Sequence, residues 1–291
     1  MKITLLGGSG FLGSHVAEEL SKRGYRIKIF DKVKSKWLKK NQKMIVGNIL
    51  NYSSLEKAIK NSDVVYHFAA LADLEKALVR PIETVNLNIL ATVYVLDLCR
   101  KYKVKRLVYA SSIYVNSKEG GFYRSSKKAA EDYIEEFNKL YGINFTIMRY
   151  GSLYGSRAGT DNGVYRIVNS AIKKNRVQYE GNKYSVREYI HVKDAAKASV
   201  NVLANQYKNK HVNITGTKKI KVLAFLNKLS KMLGISRKIN FQNKELTGHY
   251  VSTPNTYKPK KGKKFVFKST INFYEGIYSL VNELKLKKKD N

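Results

Sequence analysis

Along its first 150 residues the chain alternates short apolar runs with amphipathic segments. "KITLLGG" reads as a buried strand, and "SGFLGSHVAEELSKRGY" as a helix with Leu12, Val16, Ala17 and Leu20 on one face. "RIKIFD" and "KMIVGNI" are the next strands, "SLEKAIKNS" a short helix and "DVVYHFAA" a fourth strand. A long helix over "RPIETVNLNILATVYVLDLCRKYK" leads to the strand "RLVYASS". The helix "YRSSKKAAEDYIEEFNKLYG" then leads to the strand "NFTIMRYG". Strands that are apolar throughout, rather than alternating, are buried on both faces, and helix-sized crossovers join them in parallel. The pattern predicts an α/β fold: a doubly wound parallel sheet with helices on both sides.

After residue 150 the pattern changes. "GSLYGSRAGTDNG" is rich in glycine and polar residues and reads as a loop. A helix "VYRIVNSAIKKN" follows, then "REYIHVKDAAKASVNVLAN" and "HVNITG", a return to strand and helix. Two more helices are expected over "VLAFLNKLSKMLG" and "TINFYEGIYSLVNELK". Residues 1–150 are therefore expected to form one sheet domain, and 151–291 mostly a smaller lobe, with a strand and helix around 188–216 rejoining the sheet.

Composition narrows the class. A 291-residue chain that is 43% hydrophobic can bury a substantial core. Its one cysteine, Cys99, excludes a disulfide framework and points to a reducing, cytoplasmic location. "MKITLLGGSG" runs from a short apolar stretch straight into a glycine turn, so no leader peptide is expected. No apolar run approaches the roughly 18 residues of a membrane span, and no membrane insertion is expected. The five histidines lack ligand spacing, so no metal site is expected. The net charge of +33 raises the alternative of an RNA- or polyanion-binding protein. Lysine supplies 43 of the 55 basic residues, whereas base readers lean on arginine, so nucleic acid is disfavoured as a partner. The densest basic runs are "KPKKGKK" at 258–264 and "KLKKKD" at 285–290.

The first chemical feature is a glycine turn, Gly7-x-x-Gly10-x-x-Gly13, placed after a strand and opening a helix. Such a turn brings backbone close to a pyrophosphate and aims the N–H groups of the helix N-terminus at it. Asp31 closes the second strand, where a carboxylate accepts from a ribose hydroxyl and repels a 2′-phosphate. That context predicts a Rossmann-type dinucleotide site favouring NAD over NADP, with Lys32 and Lys34 as a counterweight.

The second feature is "VYASSIYVNSKEGGFYRSSK", residues 108–127, where Tyr123-x-x-x-Lys127 follows a serine pair. With "GGSGFLG", "FDK", "GNI", "VYHFAALA", "NILAT", "MRYGSLYG" and "REYIHVKDAA", it resembles the extended short-chain dehydrogenases/reductases. Within them it resembles the NAD-dependent epimerase/dehydratase group that acts on nucleotide sugars, over nearly the whole chain. The resemblance implies that Tyr123 is the general base and Ser112 its partner on the sugar oxygen. A phenol of pKa about 10 must be lowered to act near neutrality, and a cation does so. Lys127, four residues on and on the same helix face, is implied as that cation and as a hold on the nicotinamide ribose. The implied cradle for NAD further includes Phe11, Leu12, Asn48, Ile49, Phe68, Ala69, Ala70 and Tyr150. Asn48 stands where the family carries aspartate, yet its amide oxygen accepts from an adenine amine. Asn88 is implied as a structural bridge.

For the sugar nucleotide, the resemblance implies Ser112, Tyr123, Ser152 and Arg187. A guanidinium at 187 suits a diphosphate, and Ser152 replaces the usual asparagine. Ile113 and Tyr114 stand where dehydratases carry acids, so dehydration is not expected. The link from Ser112 to Tyr123 is shorter than usual in the family, yet long enough to join a strand end to a helix. Its shortness leaves the sugar pocket more open, which suits a larger sugar such as a heptose.

The implied function is NAD-dependent oxidation at C4 of a nucleotide-linked sugar, foremost a 4-epimerase. The alternative is a 4-dehydrogenase, for example of a GDP-heptose. "TPNTYKPKKGKKF" resembles a tail in bacterial members tied to polysaccharide biosynthesis. A homodimer is implied too, through the helix with Ile89, Leu90, Val93, Tyr94 and Leu96 and the helix with Ala129, Tyr133, Ile134 and Phe137.

Overall fold

The computed structural model describes residues 1–235, 239–242, 249, 251–253 and 262–289. Residues 254–261, which hold much of the basic run at 258–264 and of the polysaccharide-associated tail, lie outside them, as does Asp290.

The strands β1 (Lys2–Leu6), β2 (Arg26–Asp31) and β3 (Gln42–Val46) alternate with helices α1 (Phe11–Lys22) and α2 (Tyr52–Ile59), and β4 (Val64–His67) follows. The chain then forms α3 (Leu74–Val79) and α4 (Pro81–Val85), passes through a π-helical turn at Asn86–Leu90, and continues as α5 (Ala91–Lys101). Next come β5 (Arg106–Ser112), a 3₁₀ turn at Ile113–Asn116, α6 (Gly121–Tyr141) and β6 (Phe145–Tyr150). The remainder comprises β7 (Ser152–Tyr154), α7 (Gly163–Lys174), β8 (Gln178–Glu180), β9 (Val186–Arg187), β10 (Tyr189–His191) and α8 (Val192–Asn201). It ends with β11 (Lys210–Ile214), β12 (Ile220–Lys221), α9 (Val222–Leu233), β13 (Asn240–Gln242), β14 (Lys263–Lys264) and α10 (Phe273–Lys289).

Eight strands form one sheet in the order β14-β11-β6-β5-β4-β1-β2-β3, with every neighbour parallel. The order reverses between β1 and β4, which opens a crevice at the strands' carboxyl ends. Residues of β1, β4 and β5 are apolar on both faces because each face is covered. Ile3, Leu5, Val64 and Tyr66 pack with α1 and α8, while Leu6, Val65, Leu107 and Tyr109 pack with α2, α5 and α6. A third core, built on Val168, Phe225, Leu229, Phe273 and Ile277, holds α7, α9 and α10 together.

The helical run Pro81–Lys101 departs from one expectation. Over 21 residues it is long enough, and with a mean hydropathy of 1.4 apolar enough, to cross a membrane. In the fold, 44% of an 18-residue apolar window of that run is buried, and Ala91, Val95, Leu96 and Leu98 face the sheet core. The run escaped notice because Asn86, Asn88 and Asp97 interrupt an otherwise apolar pattern. The stripes expected to face a partner also divide: Leu96 and Ile134 are buried against the sheet, while Leu90 and Tyr133 are exposed.

Candidate active site

The glycine turn lies at the mouth of the crevice. Gly7 follows β1 and donates its N–H to the Phe30 carbonyl at 2.8 Å. Gly13 lies where α1 crosses that turn: a Cβ there would sit 2.2 Å from the Gly7 carbonyl oxygen, so no other residue fits. Gly10 is the N-cap of α1 and offers no side-chain cap, which leaves the first-turn amides of Phe11, Leu12 and Gly13 without one. Uncapped amides at a helix start, on a turn only glycine can make, fit a dinucleotide pyrophosphate.

Asp31 ends β2 beside this turn. One carboxylate oxygen accepts from Ser9 N–H at 2.9 Å and the other from Val33 N–H at 3.4 Å. Lys32 is exposed next to it. Asn48 is exposed and accepts from Leu50 N–H at 3.0 Å, while Ile49 is buried under it. Phe68 and Ala69 continue β4, both donating their N–H to the Leu6 carbonyl, and Ala70 follows half-buried. Tyr150, implied in the cradle for NAD, ends β6 and is buried. Its hydroxyl bonds Ser199 Oγ at 2.6 Å within the core, and burial holds the phenol well above its usual range.

Ser112 closes β5 and is buried, its Oγ accepting from Tyr114 N–H at 3.3 Å. Its neighbour Ser111 is committed elsewhere, donating to Glu131 at 2.5 Å. Tyr123 and Lys127 lie on the first turns of α6, both buried. Lys127 Nζ donates to the Ala110 carbonyl at 2.8 Å and lies 4.8 Å from the centre of the Tyr109 ring. Burial pulls its pKa down to about 7, with Glu131 pulling the other way. Asn88 bridges the crevice to this helix: it accepts from Leu71 N–H at 2.8 Å and donates to Ser126 Oγ at 2.9 Å.

The short link closes through Gly120, at φ +104°, where a Cβ would meet the Tyr114 ring at 2.7 Å. Tyr114 thereby lies edge-on to Tyr123, with ring centroids 6.2 Å apart, and its hydroxyl is 3.4 Å from His249 Nδ1. Ser152 begins β7, which pairs with β10. Arg187 on β9 donates to the Val251 carbonyl at 2.8 Å, so one arm of the guanidinium is engaged by backbone. Sequence reasoning gave no place in the site to Glu131 or His249, and read Tyr114 only as a position without an acid. The spacing Lys127-x-x-x-Glu131 could have flagged the first, as a helical neighbour of the lysine. Nothing local could have brought residue 249 to residue 114.

The profile of the NAD dependent epimerase/dehydratase family matches residues 3–215. A putative UDP-glucose 4-epimerase of Methanocaldococcus jannaschii is 28% identical, the match covering 97% of this chain and 98% of that one. A UDP-N-acetyl-alpha-D-glucosaminuronate decarboxylase of Bacillus cytotoxicus is 30% identical over 72% of this chain and 73% of its own. Among solved structures, UDP-glucuronic acid 4-epimerase from Bacillus cereus, in complex with UDP-glucuronic acid and NAD, superposes with a TM-score of 0.86. It is 22% identical, with 99% of this chain and 100% of that one covered.

Proposed function

The chain belongs to the NAD-dependent epimerase/dehydratase family, and on that premise we propose that it is a nucleotide-sugar 4-epimerase using Ser112, Tyr123 and Lys127. What supports the reading is that Ser112 ends β5 while Tyr123 and Lys127 lie four residues apart at the start of α6, with Lys127 Nζ on the Ala110 carbonyl of β5. Relatives named as 4-epimerases of UDP-sugars, matched over nearly the full chain, support the choice of outcome.

Bound NAD supplies a hydride acceptor, and then a donor, at C4 of the sugar. The protein's part is acid–base and positional. Tyr123 takes the proton of the C4 hydroxyl and later returns it, while Ser112 holds the same oxygen. Lys127, as ammonium, favours the phenolate of Tyr123. Gly7, Gly10 and Gly13, with the amides of Phe11 and Leu12, hold the pyrophosphate. Asp31 accepts from the adenosine ribose, with Lys32, Asn48, Ile49, Phe68, Ala69 and Ala70 around it. Arg187 and Ser152 face the nucleotide diphosphate and sugar.

The test is incubation with a panel of UDP-, GDP-, CDP- and dTDP-sugars. Inversion at C4 by NMR, without net reduction of added NAD, is the expected result. Stoichiometric NAD reduction with a sugar two hydrogens lighter would replace the epimerase with a 4-dehydrogenase.

Assembly as a homodimer belongs to the same reading. Val79, Ile82, Leu90, Tyr133 and Leu140 are exposed on α3, α4, the π-helical turn and α6. Large apolar side chains gathered on neighbouring helices suit a second copy of the chain.

A further inference from the structure

Behind the Ser112, Tyr123 and Lys127 side chains lies a buried ionic cluster that the proposed reaction does not itself use. Glu131 is 1% exposed and stands one helical turn beyond Lys127 on α6. Its carboxylate accepts from Ser111 Oγ at 2.5 Å, from Arg149 Nε at 3.0 Å and from Arg149 Nη2 at 2.6 Å. His211 of β11 stands 3.8 Å from it and 3.0 Å from Glu135. Three elements therefore meet on one carboxylate: the helix bearing Tyr123 and Lys127, the strand end bearing Ser111 and Ser112, and β6.

A buried ion pair is a weak device for stability, because desolvation consumes most of what attraction returns. Its strength is directional, since a two-pronged guanidinium–carboxylate contact tolerates little displacement. Here the direction it fixes is that of α6 against the end of β5. We propose that Glu131 is a positioning residue that holds Ser112 in register with α6 and sets a carboxylate one helical turn behind Lys127. This deepens the proposed reaction and rests on it for its catalytic meaning.

The second half of the proposal follows from what surrounds Lys127. The titratable or charged groups near it are Tyr123 and Glu131 on its own helix, Tyr109 on β5, His67 on β4, and Arg149 on β6 behind Glu131. Burial keeps His67 neutral, with a pKa of about 3, and keeps Tyr109 a neutral phenol. Glu131 is the anion of the set. Without it, the burial that lowers the Lys127 pKa loses the opposing pull of Glu131.

A lysine ¹³Cε NMR titration of the apo protein reads Lys127 directly, its resonance identified by loss in Lys127→Met. Glu131→Gln is expected to move the Lys127 midpoint to lower pH. It is also expected to lower kcat about ten-fold or more, with KM nearly unchanged, as misplaced catalytic groups do. Its alkaline limb of kcat should shift to lower pH as well, which a merely structural loss would not produce. Glu131→Gln/Arg149→Met removes both charges, and so supplies a folded protein even if the single variant is unstable. An unmoved Lys127 midpoint in a folded variant overturns the proposal, whatever the turnover. A moved midpoint in a protein that converts no nucleotide sugar supports the charge coupling and sinks the epimerase reading instead.

Discussion

Lys127 is the residue whose environment decides most. It is buried, its Nζ resting on the Ala110 carbonyl. A cation in that position is costly, and burial lowers its pKa from 10.5 to about 7. The sign of the consequence is fixed. Between about pH 7 and 10.5 the unfolded chain keeps the proton that the folded chain has shed, so Lys127's contribution to stability rises with pH across that window. Denaturant midpoints of the apo protein should therefore gain on those of Lys127→Met as the pH is raised from neutrality. Parallel curves for the two proteins would mean that the buried amine does not titrate there. Ser112 and Ser111 show how neighbours with the same chemistry divide: Glu131 takes the hydroxyl of Ser111, while Ser112 closes the strand at the crevice.

At the scale of elements, the sequence was legible wherever burial imposed a pattern. The strands β1, β2, β4, β5 and β6 were all visible as apolar runs, because a parallel sheet covered on both faces leaves no polar alternation. The short elements were not legible. β14 has two residues and joins the sheet edge beside β11, and its sequence, Lys263–Lys264, carries no strand pattern at all. α3 went unread because Asp73, its N-cap, and six residues behind it are too few for a helical period. The residues of the candidate site were legible as motifs, while their second neighbours were not. Glu131, Arg149 and His211 come from α6, β6 and β11, and only the folded sheet brings them together. The glycine turn offers the sharpest test at this scale. Gly13→Ala would drive a Cβ to 2.2 Å from the Gly7 carbonyl, so α1 must shift from the turn. NAD affinity is expected to fall at least about ten-fold, since the helix N-terminus then no longer faces the pyrophosphate. Calorimetric titration checks this, and wild-type affinity would contradict the assigned turn.

The whole molecule joins the eight-stranded sheet to the helices α7, α9 and α10, which share a core of their own. Its net charge of +33 is carried mostly by lysines, which fit solvated surfaces better than base readout. Val79, Ile82, Val85, Leu90, Phe122, Tyr133, Leu140 and Tyr141 are exposed along α3 to α6, the last of which carries Tyr123 and Lys127. Sedimentation at micromolar concentration and moderate salt should give a species of twice the 33.2 kDa chain mass. Tyr133→Glu with Leu140→Glu should return it to the chain mass, and a wild-type monomer with full activity would remove the dimer from the account. The central claim is C4 chemistry on Tyr123, and its most direct test is proton NMR at C4 of whichever nucleotide sugar the panel shows to be converted. Wild-type protein should equilibrate the two C4 configurations. Tyr123→Phe should do so at least about a hundred-fold more slowly while still binding NAD, the usual contribution of a general acid–base group. Inversion by Tyr123→Phe at the wild-type rate would contradict the account.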